Sequence, residues 1–92
     1  LKRIEVLPGE SLSLQSHKYR SEHWTIAKGS AKVELNGDTF HLKENESIII
    51  PVSAKHRLSN PSAEILIIFE IQFGKLLDEN DICRYEDLYG RH

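Results

Sequence analysis

Residues 31–42, AKVELNGDTFHL, place the tightest constraint on this chain: Asn36-Gly37 stands between Val33 and Leu35 on one side and Phe40 and Leu42 on the other. Both residues of that dipeptide accept positive φ, so the segment predicts a two-residue hairpin and a fold built from antiparallel neighbours. The same period of two recurs along the chain. Leu12 and Leu14 alternate with Ser11, Ser13, Gln15 and His17, as a strand with one apolar and one polar face requires. ESIIIPVSAKHRLSNP predicts a buried strand stopped by Pro51, a turn, a short strand through His56 and Leu58, and a second stop at Asn60-Pro61. EILIIFEIQFG predicts the longest strand. From Lys75 to His92 the alternation is lost, and a turn, a short helical piece and a final strand are expected there. Roughly seven or eight short strands with turns between them imply an all-β sandwich or small barrel, because closure removes exposed edges.

Size and charge narrow the possible functions. A chain of 92 residues makes one domain near the small end of what buries an independent core. It begins with Leu1 rather than methionine, so it is expected to be a C-terminal fragment of a longer protein. The long apolar strand Ile65 to Phe73 would leave an edge exposed, which favours a homodimer. With 39% hydrophobic and 28% charged residues the composition is globular, and apolar runs such as Ile48 to Ile50 and Ile65 to Phe69 are far too short for a bilayer. Net charge is −2 with both signs interspersed, so no basic face invites nucleic acid. Cys83 stands alone, which excludes an internal disulfide and leans towards the cytosol.

Potential metal donors crowd into LQSHKYRSEHW, residues 14–24. The order Gly9, Gln15, His17, Glu22, Gly29, followed after the hairpin by Pro51, His56 and Asn60, resembles the two motifs of the cupins. The resemblance implies a double-stranded β-helix. It departs at Gln15, where many cupins carry histidine, and at Asn45 and Ser53, where the second motif often carries glycine. Gln15 and His17 share one face of a strand, and Glu22 and His56 are expected from neighbouring strands. Two imidazoles, a carboxylate and an amide oxygen suit one divalent ion (zinc, cobalt, nickel, manganese or iron) and leave an open position. Polar side chains on one strand face are more often simply solvated; the four together at this spacing favour metal. His23 has the opposite parity to Glu22 and should point away, and His41 should be exposed in its hairpin. Trp24 is expected to pack beside the site.

A narrower likeness rests on SLSLQSH, RSEHW, KHRLSN and RYEDLYGR, which together resemble the C-terminal domain of the type II mannose-6-phosphate isomerases. The likeness spans Leu1 to about Arg91. Lys18-Tyr19 and Leu88 depart from it, the first replacing two histidines and the second lying in a tail that is often basic. In that family the domain usually follows a GDP-mannose pyrophosphorylase domain in one bifunctional cytoplasmic enzyme. What the resemblance implies is interconversion of mannose 6-phosphate and fructose 6-phosphate, the ion acting on the C1 and C2 oxygens while a base moves one proton between the carbons. The base stays open among a neighbouring lysine, a carboxylate such as Glu70, and hydroxide on the ion. Arg20 is the first choice for the phosphate, followed by Arg84 and Arg91, since a guanidinium fork suits phosphate oxygens; surface ion pairing is the alternative for each. RYEDLYGR otherwise reads as a closing strand or dimer seam with Tyr85 and Tyr89. Two competing readings are a non-catalytic cupin that binds sugar or stabilises an oligomer, and an iron dioxygenase, which Gln15 disfavours. These residues hold no glycine-rich, lysine-bearing nucleotide loop.

Overall fold

The computed structural model describes residues 1–85. Arg91, Tyr89 and Leu88 therefore lie outside the described residues. Nine strands run in order: β1 Lys2–Val6, β2 Gln15–Ser16, β3 Arg20–Lys28, β4 Ala31–Leu35, β5 Asp38–Leu42, β6 Ser47–Ile50, β7 His56–Ser59, β8 Leu66–Gly74 and β9 Cys83–Arg84. They form two antiparallel sheets, ordered β1-β8-β3-β6 and β5-β4-β7-β2-β9. The hairpin forms as the sequence demands: Leu35 pairs with Asp38, and Asn36 and Gly37 take φ of 48° and 88°. Among the described residues none is helical: of the tail expected to hold a turn, a short helical piece and a final strand, residues 75–85 contain a turn at Asp78–Asp81 leading into β9, and the rest lies outside the described residues. The expected strand from Leu12 shrinks to Gln15–Ser16, since before it the Ser11–Ser59 bridge, the Leu12 N–H bond to the Leu58 carbonyl and the Tyr85 N–H bond to the Leu14 carbonyl hold the segment without a continuous ladder.

One topological expectation is largely reversed. The long apolar strand β8 lies between β1 and β3; residues 67–70 pair on both sides while residues 71–74 pair with β3 alone, so the edge invoked for a dimer shrinks to the strand's last residues. What it presents to solvent is one face, where Phe69, Ile71 and Phe73 are exposed beside Ile49 of β6.

The inner faces of the two sheets divide lengthwise into two chemistries. Along β3 the buried residues are Arg20, Glu22, Trp24 and Ile26, passing from charged to aliphatic within seven positions of one strand. β8 runs antiparallel and repeats the gradient in register, with Gln72 opposite Glu22, Glu70 opposite Trp24 and Ile68 opposite Ile26. The aliphatic half, with Ile26, Val33, Leu58, Leu66 and Ile68 almost fully buried, supplies the hydrophobic stabilisation, roughly 2 kcal/mol per side chain before entropy is subtracted. The other half of the same interior is polar and opens to solvent. Asn60 locks the loop behind β7, its amide donating to the Val6 and Glu64 carbonyls while its oxygen accepts from the Ser62 N–H and hydroxyl.

Candidate metal centre

Strand pairing places the first donors. Gln15 on β2 lies directly opposite His56 on β7, so the two side chains leave the same face of the same sheet. His17 follows two residues after Gln15. Glu22 does not come from a neighbouring strand, as sequence parity suggested; it projects from β3 in the opposite sheet. Parity fixes which residues face inward, but the sheet to which each strand belongs depends on long-range pairing. The ligand atoms of His17, Glu22 and His56 lie within 4.8 Å of one another, and all three residues are buried.

Both imidazoles are turned by backbone carbonyls. His17 Nδ1 is 2.6 Å from the Asp81 carbonyl oxygen, and His56 Nδ1 is 3.0 Å from the Ala54 carbonyl oxygen. A carbonyl only accepts, so Nδ1 carries a proton on each ring, and in the neutral form Nε2 is the nitrogen with a lone pair for a metal. This outer hydrogen bond is the usual orienting device for a metal-binding histidine. Burial pushes the His56 pKa below the ordinary imidazole range, against the opposing pull of the Ala54 carbonyl, and so favours the neutral form that ligates.

Glu22, 2% exposed, is saturated with partners. Arg20 Nε donates to its Oε2 at 2.9 Å and Arg20 Nη2 lies 2.9 Å from the same oxygen as an ion pair, His17 Nε2 lies 3.2 Å from that oxygen, and Trp24 Nε1 donates to Oε1 at 3.1 Å. The indole N–H is shared with Glu70 Oε1 at 3.0 Å, and Gln72 holds the other Glu70 oxygen at 2.8 Å. Burial, then the hydrogen bond with Glu22, raises the Glu70 pKa above the carboxylate range. Trp24 meets the His56 ring edge-on, with centroids 5.5 Å apart, and closes the aliphatic side of the site.

The donor set fits one divalent ion. Ligands about 2.0–2.2 Å from a metal lie roughly 3–4 Å from one another, and the His17 Nε2 to Glu22 Oε2 spacing of 3.2 Å already matches. Gln15, His17, Glu22, His56, Glu70 and Arg84 share the wall of one cavity of about 820 Å³. Arg20 also lines it, but its guanidinium is committed to Glu22 rather than held free for an anion. Arg84 is exposed and pairs with Gln15 across β2 and β9. His23 and His41 are exposed, as their positions suggested.

Asp81 escaped the sequence reading. Its carboxylate accepts the Lys18 and Tyr19 N–H groups at 2.8 and 2.9 Å while its carbonyl orients His17. The visible signal was the polar run Asp78-Glu79-Asn80-Asp81, a turn composition with nothing local to say what it would cap.

Comparison with known proteins adds lineage. The family profile described as mannose-6-phosphate isomerase C-terminal matches residues 1–87. Mannose-1-phosphate guanylyltransferase ManC of Salmonella typhimurium is 50% identical over 91 residues, 99% of this chain and 19% of that protein. Alginate biosynthesis protein AlgA of Pseudomonas aeruginosa is likewise 50% identical over 91 residues, covering 99% and 19%. The chain thus spans 19% of the length of these curated relatives. Among solved structures, a double-stranded β-helix protein of Klebsiella pneumoniae gives a TM-score of 0.79 at 21% identity, over 92% of this chain and 72% of that one. The Schizosaccharomyces pombe Cnp3 cupin domain gives 0.77 at 19% identity, over 79% and 53%. At such identities the structures speak to fold alone, and that fold is the cupin double-stranded β-helix.

Proposed function

The chain belongs to the mannose-6-phosphate isomerase C-terminal family, and from that premise we propose that it binds one divalent metal ion and interconverts mannose 6-phosphate and fructose 6-phosphate. One observation carries the reading: a buried His17, Glu22, His56 triad with ligand atoms within 4.8 Å, at the wall of a cavity large enough for a sugar phosphate. Gln15, opposite His56, adds its amide oxygen as a fourth donor. An ion held there supplies Lewis acidity towards an α-hydroxy carbonyl.

The protein's own groups do the rest. The Asp81 and Ala54 carbonyls keep each Nε2 aimed inward, so no reorientation is needed when substrate arrives. Trp24 and the aliphatic half of the interior exclude water from one side. Arg84, at the cavity wall, offers a guanidinium to the phosphate. Zinc is the first choice of ion, with cobalt, nickel, manganese and iron compatible with the same nitrogen and oxygen donors. A phosphorylated sugar does not cross membranes unaided, which favours a cytoplasmic setting; no helix among the described residues is long and apolar enough to cross one. The names of the relatives, a mannose-1-phosphate guanylyltransferase and an alginate biosynthesis protein, support a place in supplying activated mannose for polysaccharide synthesis.

The test is a coupled assay for fructose 6-phosphate formed from mannose 6-phosphate, with the chain loaded with zinc and, in parallel, treated with chelator. Chelator-sensitive turnover is expected. Metal binding without turnover would instead favour a binding or assembly role within the longer protein, the reading to which the relatives' guanylyltransferase names lend weight.

A further inference from the structure

We propose that Arg20 is an internal stand-in for the metal ion: its guanidinium holds the site together in the metal-free protein and must withdraw from Glu22 and His17 for an ion to load. The inference rests on the metal-binding reading above and concerns a step before catalysis.

Contact geometry carries it. Glu22 Oε2 accepts Arg20 Nε at 2.9 Å, and the Arg20 Nη2 atom lies 2.9 Å from the same oxygen. Oε1 receives Trp24 Nε1 at 3.1 Å. His17 Nε2 lies 3.4 Å from the same Arg20 Nη2. One guanidinium nitrogen therefore touches both of the atoms, 3.2 Å apart, that an ion would take from these two residues. An ion bound to both atoms and this arrangement of Arg20 compete for the same space.

Charge points the same way. Arg20 is 8% exposed and Glu22 2%, and a buried carboxylate without a counter-charge is costly. In the metal-free protein Arg20 meets that need. Once a dication is present the guanidinium becomes a like charge a few ångströms away, in a setting where such repulsion is strong. The cavity that Arg20 already lines gives it somewhere to turn, and an anion there, such as the phosphate of a sugar, would give it a new partner. Loading the ion and freeing an anion-binding arginine are thus one event.

The experiment compares wild type with Arg20→Met, which keeps much of the packing volume but carries no charge, using zinc titration calorimetry and thermal melts with and without zinc. Metal-free Arg20→Met is expected to melt lower than wild type, yet to bind zinc at least about tenfold more tightly and to gain more from it in melting temperature. Tighter binding by the variant, including binding where wild type shows none, supports the proposal. Equal or weaker binding by a folded variant, with wild type binding normally, overturns it while leaving the metal site standing, for Arg20 is then a brace for Glu22. Absence of binding in both proteins overturns the metal reading and this inference together. If Arg20→Met does not fold, Arg20→Lys keeps a charge but lacks the fork that meets Glu22 and His17 together, and zinc binding tighter than wild type is again the supporting result, with equal or weaker binding overturning it.

Discussion

At the scale of single residues the site is a contest for few electron pairs among many donors. Two buried carboxylates, Glu22 and Glu70, share one indole N–H from Trp24, and burial, then the hydrogen bond with Glu22, makes Glu70 hold its proton to higher pH than an ordinary carboxyl. A carboxyl whose folded pKa is raised contributes stability that is present below its unfolded value and is lost as pH rises through its folded value. Glu70→Gln cannot ionise and keeps an acceptor for Trp24. In chelator, its melting temperature relative to wild type should therefore climb by several degrees as pH rises from 4.5 to about 8; parallel melting curves at all pH values would contradict the assignment. Strand parity made much of this cluster legible in the sequence, since Arg20, Glu22 and Trp24 are buried at alternate positions of β3, between half-buried Ser21 and exposed His23, and Gln15 and His17 are likewise two residues apart. Parity says that Arg20 faces inward but not to whom it donates. For that reason the expectation of a phosphate ligand meets a guanidinium already spent on Glu22.

At the scale of strands and turns, local chemistry was readable and long-range pairing was not. Asn36-Gly37 specified its hairpin because only positive φ closes a two-residue loop there. Asn45 and Ser53, where cupin motifs often have glycine, keep the left-handed backbone of those turns, with φ of 73° and 66°; the turn survives its unusual residue because it is pinned from outside, Ser53 N–H donating to the His17 carbonyl at 2.7 Å. That β8 would lie inside its sheet, or that Glu22 would face His17 from across the interior, had no local signature. Gly74 records how closely these strands approach. A Cβ at this position would fall on the Tyr19 carbonyl oxygen and within 2.8 Å of Arg20 Cα, both backbone atoms that cannot swing aside. Gly74→Ala is expected to cost about 2–3 kcal/mol in chemical denaturation and to displace the strand that carries Arg20 and Glu22; a loss below about 0.5 kcal/mol would show the approach to be looser than this.

At the scale of the whole molecule, the stretch after Gly74 behaves as a strap rather than as part of the core. Every member of the buried aliphatic cluster precedes it. The strap is tied down by the Asp81 carboxylate on Lys18 and Tyr19, by the Tyr85 N–H on the Leu14 carbonyl, by the Tyr85 hydroxyl on Ser16 at 2.7 Å, and by Lys55 over the Tyr85 ring. A chain ending at Gly74 should keep its two packed sheets but bind zinc about 10–100-fold more weakly, because His17 loses the carbonyl that orients it; calorimetry beside far-ultraviolet circular dichroism separates this outcome from unfolding. The hydrogen bond from His17 to Asp81 spans 64 positions of sequence. A polypeptide is made from its amino terminus, so for most of the time this domain takes to emerge from a ribosome its first histidine has no carbonyl to meet. On the proposed metal reading, capture of the ion is tied to completion: a chain interrupted before residue 81 carries Gln15, His17, Glu22 and His56 yet lacks the group that aims His17, and a bound ion would mark that the domain was finished.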